Sequence, residues 1–307
     1  MTAQQHITFI LNPVAGRGKA QHIIASLKDV LRHSTLDYEF HLTAGPGDAT
    51  VLARKASAIS SIIVAIGGDG TVNEVAAGVA GSNAAMAVMS EGSGNDFGRM
   101  VSAPNSPKEI LPYLHDPVLR TFDAGKIRLT HADGRMDERM FFNSVGIGFD
   151  AAVAKKVSSI RWLRGIPLYL SALFQTIVGY QPHFLTVNHN NNTWQKNYFL
   201  LCVGNGKWEG GGFMLTPNAM PDDGIFEVCG VTGDSIMKVL PILPSVLTGT
   251  HLGKKYIESF DATTLTVECD EGFPVHGDGE IFGMQVKKAE ISLVSQSLKV
   301  VVAHNQR

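Results

Sequence analysis

The chain is 307 residues long, more than one core usually fills and comfortable for two domains of roughly 100–200 residues each. Hydrophobic residues make up 44% and charged residues 18% of it, which excludes a disordered polar chain and leaves a folded globular protein. A formal net charge of −2 makes the whole mildly acidic.

In chain order, residues 7–11 form a short apolar strand, and Gly16 and Gly18 open a segment whose Ile23, Ile24, Leu27, Val30 and Leu31 recur at helical spacing. Tyr38, Phe40 and Leu42 alternate as a strand, and 49–56 reads as a helix. The run 61–66 is apolar almost throughout and predicts a strand buried on both faces. Residues 71–79 are helix-like and 84–89 again a strand. Ser106-Pro107-Lys108-Glu109 has the Ser, first-turn Pro and third-position Glu of a helix start. Alternating strands and helices predict an α/β N-terminal domain, a parallel sheet covered by helices, over 1–126 and completed by 296–307.

From about residue 120 the pattern changes to strands joined by turns. Strands are expected at 120–130 and 138–145 around a hairpin signal at Asp133-Gly134, then at 183–188, 198–203, 225–231, 264–268, 285–289 and 298–302. Helices interrupt at about 151–180 and 234–250, so the second domain, 127–295, is mostly β. Cys202, Cys229 and Cys269 are odd in number and widely spaced, which fits neither a disulfide framework nor a CxxC metal site; buried thiols are expected.

The strongest local signal is Gly67-Gly68-Asp69-Gly70-Thr71-Val72-Asn73, between a buried strand and a helix. In an open α/β sheet ligands bind outside the carboxyl ends of the strands. Glycines there let backbone N–H groups approach phosphate oxygens at a helix N-terminus, and Thr71 and Asn73 add side-chain donors. The loop is neither GxxxxGK[ST] nor GxGxxG. A second loop, Glu91-Gly92-Ser93-Gly94-Asn95-Asp96-Phe97, follows the next strand, so the two are expected to form one phosphate site.

With these loops the sequence resembles the diacylglycerol kinase catalytic family of lipid kinases. The resemblance is carried, in family order, by Asn12-Pro13 with Gly16 and Gly18, GGDGTVN at 67–73, GSGNDFGR at 92–99, Asp123 with Gly125, Asn143 with GIGFD at 146–150, Pro217-Asn218-Ala219 with Asp223-Gly224, and Gly277-Asp278-Gly279-Glu280. Ser93 stands where the family usually has Thr, which keeps the hydroxyl, and Ser90 stands where a Pro is common. The resemblance implies a NAD kinase/diacylglycerol kinase-like α/β domain followed by a β-sandwich-like domain, and transfer of the γ-phosphoryl group of ATP to a hydroxyl of diacylglycerol or a related lipid. By the same resemblance Asn12, Thr43, residues 67–73 and Gly92, Ser93, Gly94 and Asn95 contact the nucleotide. The resemblance likewise implies that Asp69, Asp96 and Asp123 organise water and the nucleotide's Mg²⁺ and that Glu280 is the general base. A further Mg²⁺ is implied at Asp223 with the carbonyls of Met220 and Ile225, a hard-oxygen set that suits Mg²⁺ or Ca²⁺ better than Zn²⁺. On the residues alone, 277–280 is an ordinary β-turn, Asp123 a turn or cap residue and His276 a hydrogen-bonded structural histidine. The alternatives are a soluble kinase of the NAD kinase type, which shares a GGDGT-type loop, and a non-catalytic nucleotide-binding regulator; the set Asp69, Asp96, Asp123 and Glu280 argues against the second.

A lipid acceptor needs a route to the bilayer. The longest apolar windows, 166–180 and 239–252, are interrupted and too short to cross about 30 Å of hydrocarbon, and the N-terminus lacks a basic segment ahead of its apolar run. A cytoplasmic, peripherally membrane-associated protein is expected. From Ala151 to Trp208 there is no Asp or Glu, while Lys155, Lys156, Arg161, Arg164, Lys196 and Lys207 all fall there. Such a stretch suits an anionic partner. The aromatic interleaving that binds single-stranded nucleic acid is thin, so an anionic membrane is the expected partner and nucleic acid is not. Leu163, Ile166, Leu168, Leu170 and Leu173 could add shallow insertion, although such a helical stripe is more often core. The resemblance also admits a homodimer, for which the sequence shows no interface.

Overall fold

The computed structural model of the protein describes residues 6–15, 20–92, 94–160, 163, 165–233 and 239–304. Contacts divide the chain into two units, Met1–Phe122 with Gln296–Arg307, and Asp123–Ser295. No helix among the described residues is long and apolar enough to cross a membrane.

In the first unit, strand β1 (His6–Leu11) is followed by helix α1 (Ala20–Leu31), strand β2 (Asp37–Leu42), helix α2 (Asp48–Ala56), strand β3 (Ile62–Gly67), helix α3 (Asp69–Val79) and strand β4 (Ala85–Ser90). The strands lie in the order β2-β1-β3-β4 and each of these pairs is parallel, with Ile7 opposite Ile62 and Ile62 opposite Ala85. Lys299 and Val300 add to β4 in the same sense. All six residues of β3 are buried, as a strand flanked by neighbours in a helix-covered sheet requires. Phe9, Leu11, Val64 and Ile66 pack with Leu27 and Leu31 of α1 and with Val301. Two short helices follow, α4 (Asp96–Met100) and α5 (Ile110–His115). The expected helix start at Ser106 is displaced: the Glu109 carboxylate accepts the Asn105 N–H at 2.9 Å, closing a turn, and the helix begins only at Ile110.

The second unit is built by antiparallel pairing. Its strands are β5 (Val118–His131, which begins in the first unit), β6 (Met136–Phe141), β7 (Ser144–Gly148), β8 (His183–His189), β9 (Asn192–Gly204), β10 (Phe226–Thr232), β11 (Ile257–Ala262), β12 (Thr264–Gly277) and β13 (Glu280–Val302, whose last residues return to the first unit). β11, β10, β9, β7, β12 and β13 follow one another, and β8 pairs with both β9 and β12. Val145, Ile147, Leu201, Val203, Phe273 and Val275 supply its core.

Several expectations are corrected here. The single strand expected at 138–145 is two, β6 on β5 and β7 on β9 and β12, because the amides between them turn to the Asp278 carboxylate. Strands expected separately at 285–289 and 298–302 are parts of β13. The helix expected at 151–180 is two helices, α6 (Phe149–Ser159) and α7 (Gly165–Ile177). Of the helix expected at 234–250, residues 234–238 lie outside the described residues, and the rest is a 3₁₀ turn at Leu240–Ile242 and a helix at Leu243–Leu247. β11 was not anticipated. Cys202 and Cys229 are buried thiols, but Cys269 is only partly covered. In α7, Leu168 and Leu173 are core, whereas Ile166 and Phe174 are exposed.

Candidate active site

The sequence 67–73, read as a loop, is mostly helix: α3 starts at Asp69, and Gly67 ends β3. The Asp69 carboxylate accepts the N–H of Asn95 at 3.0 Å and of Asp96 at 3.1 Å. It thereby ties the start of α3 to the loop after β4. Burial pushes the Asp69 carboxyl above the usual range, and the amides of Asn95 and Asp96 pull it back. Glu91 N–H donates to the Gly67 carbonyl at 2.7 Å, a second strap between the same two strand ends.

The glycines are explained by what surrounds them. A Cβ on Gly92 would lie 2.8 Å from Gly68 Cα, one on Gly94 2.5 Å from Asp69 Oδ2, and one on Gly67 2.6 Å from Thr71 Cβ. Asn95 holds the loop with a left-handed φ of 56° and accepts the Gly92 N–H at 2.8 Å on its side chain. Asn12, beyond β1, donates to Thr71 Oγ1 at 3.1 Å, and Thr43 continues from β2, its N–H bonded to the Leu11 carbonyl at 2.9 Å. Asp96 pairs with Arg99 at 2.9 Å. Asn12, Thr71 and the two glycine loops thus meet at the carboxyl ends of adjacent parallel strands, with Thr71 and Val72 buried in α3 and the Asn73 side-chain oxygen buried without a partner. Gly70 stands in the same first turn. Gly16, Gly18 and Ser93 lie outside the described residues. Gly92→Ala is expected to force the loops apart and lower stability by about 1–3 kcal/mol, together with turnover. Gly45→Ala, with open space around it, serves as control; equal melting temperatures for the two variants would contradict the close packing.

In the second unit, Asp123 is buried and meets the loop that carries the expected metal ligands. Its N–H donates to the Pro221 carbonyl at 2.6 Å, and its Oδ2 accepts the Gly224 N–H at 2.9 Å. Asn205 caps the Asp123 carbonyl at 2.9 Å. Asp223 Oδ1 accepts the Ile225 N–H at 3.1 Å. The Asp223 carboxyl is raised by partial burial and by the charges of Asp123 and Asp222, against the Ile225 amide. Like charges gathered in this way are what a hard divalent cation would relieve, and an Asp223 carboxylate with peptide carbonyls is the all-oxygen chemistry that Mg²⁺ takes. Asp223→Ala is expected to remove a Mg²⁺-dependent part of the melting temperature, since an ion bound only to the folded state stabilises by mass action. Equal Mg²⁺ shifts in wild type and variant would move the ion elsewhere.

Glu280 opens β13 and pairs with Gly277 across a two-residue turn formed by Asp278 (φ 50°) and Gly279 (φ 82°). The turn is fixed from beneath, because the Asp278 carboxylate accepts the N–H groups of Phe142, Asn143 and Ser144 at 2.8, 2.9 and 2.9 Å. Burial raises the Asp278 carboxyl to about 6, against these three amides. Sequence reasoning missed this anchor, although Asp278 stood inside a quoted motif; its signal was a carboxylate flanked by two glycines. His276, expected as a structural histidine, is buried with its Nε2 2.9 Å from Glu209 Oε1 and 3.6 Å from Asp150 Oδ2.

The family model of the diacylglycerol kinase catalytic domain matches residues 6–127. That of the YegS C-terminal NAD kinase beta sandwich-like domain matches 143–302. A diacylglycerol kinase of Mycobacterium tuberculosis is 28% identical over 298 residues, covering 96% of this chain and 94% of its own. A Pseudomonas putida protein named "Probable lipid kinase YegS-like" is 30% identical over 254 residues, 81% of each chain. A crystal structure of a diacylglycerol kinase from Bacillus anthracis has the same fold, with a TM-score of 0.72 at 20% identity over 99% of both chains. Yeast NADH kinase shares the fold more distantly, with a TM-score of 0.59 at 7% identity over 98% of this chain and 84% of its own. With both units matched, the chain belongs to the lipid kinase family defined by the diacylglycerol kinase catalytic domain and the YegS C-terminal domain.

Proposed function

We propose that the protein transfers the γ-phosphoryl group of ATP to a hydroxyl of diacylglycerol or a related lipid. Family membership carries kinase chemistry and implies ATP as donor. The observation that carries the nucleotide site is the Asp69 carboxylate, bonded to the Asn95 and Asp96 amides and locking two glycine loops together. Amides and hydroxyls at that position bind phosphate oxygens, with Asn12, Thr43, Thr71 and Asn73 as side-chain contributors. Bound Mg²⁺–nucleotide would supply the phosphoryl group and neutralise its charge. Asp69 and Asp96 would orient that ion's water shell. In phosphoryl transfer the acceptor proton leaves late, so the role proposed for Glu280 is to align the lipid hydroxyl and take its proton. Asp123, held on the Gly224 amide, would support the loop of the Asp223 ion. Measuring ATP consumption with and without mixed lipid micelles tests the reading. Lipid-dependent consumption is expected, and none with any lipid would leave a nucleotide-binding protein without this activity.

We further propose that the acid-free stretch faces an anionic bilayer. Lys155 is exposed and Lys156 half-buried on α6, and Ile166 and Phe174 are exposed on α7; Arg161 and Arg164, the remaining basic residues of that proposal, lie outside the described residues. Lys196 is engaged by Glu258 at 2.5 Å and is set aside. Each basic residue near the surface is worth about 1 kcal/mol, screened over a Debye length of about 8–10 Å. Vesicle binding should weaken as salt rises. Replacing Lys155, Lys156, Arg161 and Arg164 by Gln should reduce it far more than turnover of a short-chain soluble acceptor. Equal vesicle binding at low salt would return these residues to a solvated surface.

A further inference from the structure

The second unit holds a cluster of ligating side chains that phosphoryl transfer leaves unused. It is built on three neighbouring strands, where Cys202 of β9 stands opposite Gly146 of β7, and Gly146 opposite His276 of β12. Residues in register project to the same face of a sheet. The absent side chain of Gly146 therefore leaves a gap between Cys202 and His276. Asp150, in the first turn of α6, and Glu209, after β9, reach into that gap. A Cβ on Gly146 would lie 2.0 Å from Asp150 Oδ2 and 2.2 Å from His276 Nε2.

His276 Nε2 is 2.9 Å from Glu209 Oε1 and 3.6 Å from Asp150 Oδ2, and the three ligand atoms all lie within 4.8 Å of one another. The His276 side chain is 3% exposed, Asp150 10% and Glu209 13%. In spite of this proximity, His276 Nε2 and Asp150 Oδ2 are buried without an aligned hydrogen bond. Native interiors hold few such atoms, and an ion is one of the ordinary explanations. Donors about 2.0–2.2 Å from a divalent ion are separated by about 3.0 Å in octahedral and about 3.4 Å in tetrahedral coordination. The observed 2.9 and 3.6 Å bracket that range.

We propose that Asp150, Glu209 and His276 bind a divalent first-row metal ion of the Zn²⁺ type, leaving one coordination position to water. Imidazole with two carboxylates suits Zn²⁺ or Mn²⁺ and not the all-oxygen shells of Mg²⁺ and Ca²⁺. Cys202 donates its S–H to Glu209 Oε2 at 3.3 Å and orients that ligand from outside. Burial, with the Glu209 and Asp150 charges, pushes its thiol well above the ordinary range, so it stays protonated. Burial opposes a charge on His276, while Asp150 and Glu209 favour one and raise its pKa. An ion bound at Nε2 takes the place of any proton there and ties α6 and the segment after β9 to the strand that leads into the Asp278-Gly279 turn.

The test is calorimetric titration of Zn²⁺ into chelator-stripped full-length protein, in two buffers of different ionisation enthalpy, with Co²⁺ as an optical probe. One ion per chain, proton release on binding and ligand-field bands of a nitrogen and oxygen site are expected. His276→Gln and Glu209→Gln should each weaken Zn²⁺ binding at least about tenfold, and Asp223→Ala should leave it unchanged. If those two variants do not fold, the wild-type imidazole resonance of His276 decides: Zn²⁺ should abolish its Nε2–H signal. An imidazolium that persists in excess Zn²⁺, no binding at all, or binding undiminished in both variants overturns the proposal.

Discussion

Glu280→Gln is expected to lower kcat for lipid phosphorylation by about 10²–10⁴-fold, the usual contribution of a positioned acid or base, with the melting temperature and nucleotide affinity near wild type. Glutamine matches the glutamate in size and suits the same exposed strand-end position, but cannot take a proton. The turn before it does not depend on the changed carboxylate, because the turn is held by Asp278 on the amides of Phe142, Asn143 and Ser144. The loss should therefore fall on kcat and not on KM for ATP. A variant that kept more than about a tenth of wild-type kcat, a barrier change under about 1.4 kcal/mol, would remove Glu280 from the reaction.

Asp69→Ala is expected to abolish turnover with every acceptor and to lower stability as well. The substitution leaves the Asn95 and Asp96 amides without the carboxylate that accepts both. A buried amide left unpaired costs about 1–3 kcal/mol. The loop from Gly92 to Asp96 then loses its tie to α3, and the proposed phosphate site loses its shape. Asp69→Asn, which keeps one acceptor but sets an NH₂ group against the other amide, should fall between the two. Kinetic assay with soluble and micellar acceptors, alongside thermal melts, checks the order wild type, Asn, Ala. Unchanged turnover in the Ala variant would take Asp69 out of the site.

The two glycine loops were legible because parallel strands buried on both faces read as unbroken apolar runs, so residues such as Ile62 to Ile66 located the strand ends that carry a ligand. What the loops do to each other was not legible. Nothing in the sequence says that Gly92 packs on the Gly68 backbone or that Asp69 spends its oxygens on residues 95 and 96. The long strands were read only in fragments. β12 carries Asp270, Glu271 and Gly272 in mid-strand, and its ladder with β13 shifts register between Glu268 and Phe273, so alternation breaks although pairing resumes. Continuity there is decided by partners far away in sequence. The same holds for Asp150, Glu209 and His276, whose grouping shows only once β7, β9 and β12 bring their surroundings together. Ser106 to Glu109 failed for a local reason, since the Glu109 carboxylate satisfied the amide one residue before the expected cap.

The most direct measurement is mass-spectrometric identification of the product formed from ATP and a panel of acceptors: diacylglycerols, other hydroxyl-bearing lipids, and NAD. A phosphorylated lipid, formed at least about a hundredfold more slowly with Glu280→Gln, is the predicted result. Phosphorylated NAD with every lipid unchanged would contradict the assignment and place the chain's activity with the soluble kinases that share its fold.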